Sequence, residues 1–139
     1  MTKIKTNMNP KHHVSLPIAK QLAEAGIVIE SEFWWQYTDV PLPDGTRWVV
    51  KHKSRLSEVD FELSSPSDII PAPIATEILE RLPDGCEYGV NLVKIMSGYG
   101  VELTDYTQMP YKRLEFIQDK NPCDTLALLL IRLTKDGLI

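Results

Sequence analysis

The chain has 139 residues, of which 43% are hydrophobic and 24% are charged. This length fits one domain and is too short for two ordinary ones, and this composition excludes a disordered chain. The formal net charge is -4, so the mean electrostatic field repels phosphate backbones, and only a local basic patch could bind nucleic acid.

The sequence also argues against a membrane or secreted protein. The longest strongly apolar run is Leu126–Ile131, whereas a membrane span needs roughly 20 such residues. Residues 1–13 lack the apolar core of a signal peptide. Cys86 and Cys123 form no CxxC pair, so we expect reduced thiols and a cytoplasmic protein.

The chain opens with a polar, basic segment, residues 1–14, which we interpret as a flexible arm in front of a single domain at 15–139. The first helix is predicted to begin at Ser15, because serine is a good N-cap. It is predicted to end at Gly26, because glycine can adopt the left-handed conformation that follows a helix.

Two aromatic and β-branched runs, 33–37 and 47–52, flank the turn-forming residues 41–45 and predict a β-hairpin. Side chains alternate between the two faces of a strand. The face expected to join the core carries Phe33, Trp35 and Tyr37. Trp34 points the other way, so it is either covered by the arm or a loop, or exposed as a binding anchor.

The segment after the hairpin alternates apolar and acidic residues. Its apolar positions are Val59, Phe61 and Leu63, and its acidic positions are Glu58, Asp60 and Glu62. A period of two predicts a short, half-exposed strand with one acidic face. That face either is a solvated edge that discourages aggregation, or gathers a cation or a basic partner.

A second helix is predicted within 73–82, because proline suits its first position and Pro83-Asp84-Gly85 ends it. A second hairpin is predicted over 88–92 and 101–105, with its turn at 97–100.

The last helix has the clearest signals. Asn121 is a good N-cap, Pro122 fits the first helical position, and Gly137 ends the helix. Its apolar surface is wider than one face, so it is either central to the domain or shared with a partner, for example in a homodimer. The predicted fold class is α+β: a largely antiparallel sheet of two hairpins (4-5 strands) with three helices, in the order α-β-β-(β)-α-β-β-α.

No recognisable catalytic or nucleotide-binding motif is present, and we expect neither a cofactor nor a metal. The adjacent residues His12 and His13 diverge on an extended chain and do not form a metal site by themselves. Cys123 lies near a predicted helix N-terminus, where the helix dipole can lower the pKa of a thiol. It is therefore the candidate for a reactive thiol, against the alternative of a buried structural cysteine.

The second strand of the first hairpin is basic. Its cationic residues, and those that follow it, are Arg47, Lys51, Lys53 and Arg55. Together with the arm they could form a positive stripe beside an aromatic platform, which suits single-stranded nucleic acid. The alternative is that they pair across strands with the acidic residues Glu30, Glu32 and Asp39.

Three stretches carry a resemblance to a known group of proteins: Ser15–Trp35 (SLPIAKQLAEAGIVIESEFWW), Pro71–Pro83 (PAPIATEILERLP) and Asp124–Ile139 (DTLALLLIRLTKDGLI). They resemble small proteins of unassigned function from bacterial phages, prophages and other mobile elements. The resemblance implies a bacterial or phage origin and an intracellular setting. It brings no catalytic residues, because its motifs are packing patterns.

The sequence therefore favours a non-catalytic protein-binding module, an accessory protein acting on a protein partner in a bacterial cell. The expected binding residues are Trp34, Arg47, Lys51, Glu58, Asp60 and Glu62. The alternative is a single-stranded nucleic-acid-binding protein that uses the basic strand and the arm. A third hypothesis is an enzyme with Cys123 as its thiol.

Overall fold

A computed structural model describes residues 12–63, 65, 68–83 and 87–139. Its α-helices are α1 (Leu16–Glu24), α2 (Glu58–Leu63), α3 (Ala75–Leu79) and α4 (Pro122–Lys135). Its strands are β1 (Phe33–Tyr37), β2 (Trp48–His52), β3 (Ile69–Pro71), β4 (Tyr88–Ile95), β5 (Gly98–Asp105) and β6 (Lys112–Asp119). A 3-10 turn, Lys53–Arg55, follows β2.

The strands form two antiparallel sheets, and the α+β class is confirmed. The N-terminal sheet has the order β2-β1-β3, and the C-terminal sheet has the order β4-β5-β6. Both predicted hairpins are present, β1 with β2 and β4 with β5. The prediction of one sheet from two hairpins is wrong in detail, because β3 and β6 each add a third strand to a separate hairpin.

Helix α4 forms the centre of the core and packs against α1, α3, β5 and β6. The predicted cap is confirmed, because the Asn121 side chain accepts hydrogen bonds from the backbone N–H groups of Cys123 and Asp124. Gly137 has a φ of 73°, the left-handed conformation expected after a helix. The wide apolar surface of this helix is buried within the chain: Leu126, Leu129 and Leu133 have no exposed surface. The homodimer through the C-terminal helix was predicted from this wide apolar surface, and the chain itself covers that surface.

The predicted strand with the acidic face is an α-helix, α2, and this prediction was wrong. Its first turn is fixed by a capping box, in which Ser57 and Asp60 bond each other. The backbone N–H of Ser57 donates to Asp60 Oδ2 at 2.7 Å, and the backbone N–H of Asp60 donates to Ser57 Oγ at 3.3 Å. An alternation of apolar and acidic residues over only six positions fits both a strand and a helix. Here the capping bonds between Ser57 and Asp60 favour the helix.

Two other boundaries differ from the sequence prediction. The turn of the second hairpin lies at 96–97 instead of 97–100, so Gly98 and Gly100 belong to β5. Helix α3 is shorter than 73–82, with the N–H of Ile74 donating to the carboxylate of Glu77. Helix α1 begins after Ser15 as predicted, although the Ser15 side chain makes no capping bond.

Most of the predicted arm, residues 1–11, lies outside the described residues. Its last residues are packed: His13 and Val14 are buried, and the backbone N–H of Val14 donates to the carbonyl of Pro73 at 3.0 Å. The packed part of the chain therefore begins before Ser15. In the part of the chain that the structure describes, each helix is too short or too polar to cross a membrane.

Candidate functional site

Trp34, the expected anchor, lies half-buried on the outward face of the N-terminal sheet. The ring of Phe61 from α2 meets its ring edge-on, with 5.0 Å between the centroids. Its indole N–H donates to the carbonyl of Ser31 at 2.9 Å. The sequence left open whether Trp34 is covered or exposed; α2 covers it in part, and Trp34 stays half-buried.

Lys51 lies directly opposite Trp34 in the β1–β2 register, and α2 brings Asp60 to the same face. The Asp60 carboxylate accepts a bond from the buried side chain of Gln36 at 3.4 Å. Bonds from the backbone and hydroxyl of Ser57 hold the pKa of Asp60 below its usual range, with a smaller contribution from the charge of Lys51. Three of the expected binding residues, Trp34, Lys51 and Asp60, therefore come together, and the contacts of Trp34 and Asp60 attach α2 to the sheet.

The other expected binding residues do not join this group. Glu58 is exposed at the start of α2, and Arg47 is exposed ahead of β2. The Arg47 guanidinium donates to the carbonyl of Asp39 at 2.7 Å. The side chain of Glu62 lies outside the described residues.

Pairing of the basic strand with neighbouring acids is partial. His52 faces Glu32 with 3.9 Å between Nε2 and the carboxylate, and Arg47 bonds the backbone of Asp39 as described above. Lys53 and Arg55 are exposed at the 3-10 turn. The ring of Phe61 lies against Trp34, so the aromatic platform expected beside this basic stripe is partly occupied by the chain itself.

Cys123 and His12 line one open, mostly apolar pocket of about 350 Å³ between α3 and the start of α4. Burial raises the pKa of the Cys123 thiol to about 11, and nearby Asp124 and Glu77 act in the same direction. The thiol is therefore protonated at neutral pH, in spite of its position at a helix N-terminus, and it lacks the thiolate character that a nucleophile needs. Cys86 lies outside the described residues.

A buried network of hydrogen bonds, which we call the polar group, connects the N-terminal segment to α4. The backbone N–H of Ser15 donates to Asp124 Oδ1 at 2.7 Å, and the Asn121 amide donates to the carbonyl of His13 at 3.0 Å. Burial lowers the pKa of His13 and raises that of Asp124, which disfavours the charged form of both side chains. His13 Nδ1 lies 2.8 Å from the carbonyl of Val14, and its ring meets Trp35 edge-on. Each of these polar atoms has a partner within the chain, so the group is structural.

The C-terminal sheet carries a second set of aromatic residues that the sequence analysis missed. We call its outward surface the aromatic face; it comprises Val93, Tyr106, Tyr111, Arg113 and Phe116. Two glycines make room for the rings to lie against the sheet. A Cβ on Gly89 would be 2.5 Å from the Tyr106 ring, and one on Gly100 would be 2.7 Å from the Phe116 ring.

The aromatic face combines rings with a paired charge. The Tyr106 and Tyr111 rings meet edge-on, with 4.8 Å between centroids, and both are exposed, Tyr111 by 60%. The Arg113 guanidinium lies 4.9 Å from the centroid of the Phe116 ring and 2.9 Å from the carboxylate of Glu102. An arginine over an aromatic ring and exposed tyrosines are typical of surfaces that bind proteins.

Two exposed apolar side chains lie in the loops at the ends of this sheet. Met96 is fully exposed at the turn between β4 and β5, and Met109 is 84% exposed in the loop before β6.

The sequence did contain a signal for β6. It is the run from Tyr111 to Ile117, whose mixture of aromatic and aliphatic residues is typical of a strand.

Within the described residues, no group of three histidine, cysteine or carboxylate side chains is placed to hold a metal ion. Comparisons with protein-family models, with curated proteins and with solved structures give no significant match.

Proposed function

We propose that this chain is a non-catalytic protein-binding module that contacts its partner through the aromatic face of the C-terminal sheet. The observation that carries the proposal is the arrangement of Tyr106, Tyr111, Arg113 and Phe116 on one outward sheet surface. Tyrosine and arginine are, together with tryptophan, the residue types that most often dominate binding energy at interfaces. The residue types and their exposure support a protein partner.

The physical state of these side chains also suits binding. Tyr106 and Phe116 are held against the sheet over Gly89 and Gly100, so little side-chain entropy remains to be lost when a partner packs on them. The charge of Arg113 is already balanced by Glu102, which limits the cost of its desolvation. Following the resemblance to phage and mobile-element proteins, we place this module in the bacterial cytoplasm as an accessory protein.

The test is site-specific photo-cross-linking in a bacterial cell. A photoreactive phenylalanine analogue at Tyr111 is expected to give a discrete cross-linked protein. The matched control places the same analogue at Val28, which is 71% exposed and lies between α1 and β1. Equal labelling from both positions, or none from position 111, would contradict the proposal.

Single-stranded nucleic acid is the second candidate, and the same exposed rings favour it, because bases stack on aromatic side chains. The net charge of -4 and the pairing of Arg113 with Glu102 act against it. This candidate predicts binding to labelled single-stranded DNA that weakens steeply as salt is added. Absence of binding at low salt would eliminate it.

A further inference from the structure

Strand β4 is a free edge of the C-terminal sheet. It pairs with β5 on one side, and within the described residues no backbone hydrogen bond reaches its other side. Natural sheets usually protect such an edge with several charges, proline or a bulge. β4 has one charged residue, Lys94, no proline, and an unbroken register with β5.

The direction of the backbone groups in β4 follows from one bond next to the strand. The N–H of Tyr106 donates to the carbonyl of Glu87 at 2.8 Å, so these two directly opposed residues form a hydrogen-bonded pair. Bonded and non-bonded pairs alternate along an antiparallel ladder, so the odd-numbered residues of β4 bond to β5. The residues whose N–H and C=O groups point to the free edge are Tyr88, Val90, Leu92 and Lys94.

This edge is accessible to another chain. Residues 91–94 are all exposed, and two of them are apolar: Leu92 is 38% exposed and Val93 is 41% exposed. An accessible strand of eight residues with apolar side chains and unbonded backbone groups is a template for strand addition.

We propose that β4 pairs antiparallel with β4 of a second copy of this chain, centred on Asn91, so that two C-terminal sheets form one continuous sheet. A two-fold axis perpendicular to the sheet keeps the same face of both copies on the same side. Residues opposite each other then share a face, as an antiparallel sheet requires.

The sequence of β4 is complementary to itself in this register. On the inner face Val90 lies opposite Leu92, and on the outward face Gly89 lies opposite Val93. Lys94, the charged residue of the strand, faces Tyr88, so the two positive charges are at opposite ends of the interface and no like charges meet. A centre at Leu92 would place the ammonium group of Lys94 opposite Val90 instead.

The backbone phase fits the same register. Every residue with groups at the free edge meets another such residue, Val90 with Leu92 and Tyr88 with Lys94, so both strands of each pair can donate and accept. This interface uses the edge of the sheet and leaves the aromatic face open. It therefore does not depend on the proposed function, and the failure of either proposal would leave the other intact.

The first test is the oligomeric state of the full chain by sedimentation and light scattering over a wide concentration range. The wild type is expected to be a dimer at high concentration. Leu92→Pro is expected to be folded, because the N–H that proline removes makes no bond to β5. It is expected to be monomeric, because that N–H would bond to the second copy. A wild type that stays monomeric throughout, or a Leu92→Pro variant that dimerises like the wild type, would overturn the proposal.

A charge pair at the centre tests the register and does not depend on proline. Asn91→Asp and Asn91→Lys each place two like charges opposite each other, and each variant alone is expected to be monomeric. An equimolar mixture of the two is expected to regain the dimer. A mixture that stays monomeric while the wild type dimerises would exclude this register.

Disulfide trapping gives a second measurement of the register. In a non-hydrogen-bonded pair the two Cα atoms are about 4.5 Å apart, within the range of a disulfide, so Asn91→Cys is expected to cross-link under mild oxidation. The control is Glu24→Cys on exposed α1, which is expected not to cross-link. Equal cross-linking of both variants would contradict the proposal, as would a monomeric wild type that binds an extended peptide along β4.

Discussion

The two sheets of this molecule are built alike and differ in what lies on their outward faces. On the N-terminal sheet, α2 places Phe61 against Trp34 and Asp60 against Gln36. On the C-terminal sheet, the aromatic face stays exposed while α4 packs on the inner face of β5 and β6. An aromatic side chain on an outward strand position is therefore structural where the chain supplies a cover and available to a partner where it does not.

The largest expected effect contrasts the two faces of the C-terminal sheet. Leu103 is 2% exposed on the inner face of β5, and Leu103→Ala should lower the free energy of unfolding by about 2–5 kcal/mol. Val93 lies on the outward face, and Val93→Ala should change it by less than about 0.5 kcal/mol. Urea denaturation measures both. Equal losses would mean that the aromatic face is covered after all.

The next effect tests the cover on the N-terminal sheet. Phe61→Ala removes the ring that meets Trp34 and should lower the free energy of unfolding by about 1 kcal/mol. Tryptophan emission should shift to longer wavelength because Trp34 gains contact with water. Val59→Ala is the matched control, since Val59 is exposed on the same helix. An unchanged emission spectrum would show that α2 does not shield Trp34.

A smaller effect concerns the inner side of the N-terminal sheet, where His13 packs on Trp35. Burial lowers the pKa of His13, so the folded state favours the neutral ring. Protonation of His13 is less favourable in the folded state than in the unfolded chain. The free energy of unfolding should therefore fall as the pH drops below 6.5, the ordinary pKa of histidine. Asp124 has a raised pKa and opposes this loss only at lower pH, where its carboxyl takes up a proton.

The measurement is the urea midpoint of the wild type and of His13→Gln between neutral pH and about pH 5.5, a window around the histidine pKa. The variant should be less pH-dependent than the wild type. Parallel curves would assign the pH dependence to other groups.

The smallest expected effect on stability belongs to the aromatic face. Tyr111 is 60% exposed, and Tyr111→Ala should change the free energy of unfolding by less than about 0.5 kcal/mol. The same substitution should reduce the yield of partner captured by cross-linking from a neighbouring exposed position such as Met109. A stable variant with undiminished capture would separate Tyr111 from the binding surface.

Much of the fold could be predicted from local signals. The caps of α4, the glycine after α1 and the two hairpins depend on residues close together in sequence, and each is present. The third strand of each sheet, which the sequence did not predict, depends on partners distant in sequence. β3 has only three residues, and it is a strand because it pairs with β1, where Ile70 lies opposite Trp35.

The missed strand β6 has a physical cause. An irregularity at Leu103 and Thr104 leaves Leu114 as an extra residue in β6, so apolar side chains do not alternate along this strand. The aromatic face was missed with it, because Arg113 and Phe116 belong to this strand. For α2 the sequence did contain the answer, since Ser57 and Asp60 have the spacing of a capping box.

The bonds from Ser15 to Asp124 and from Asn121 to His13 join residues more than a hundred positions apart. During synthesis, α4, which completes this core, leaves the ribosome after the other helices and strands described above. Until then α1, α3 and the inner face of the C-terminal sheet present apolar surface that has no cover. Nascent chains that stop before residue 121 should therefore be held by chaperones or degraded, and release of the last helix should be the step that ends this exposure.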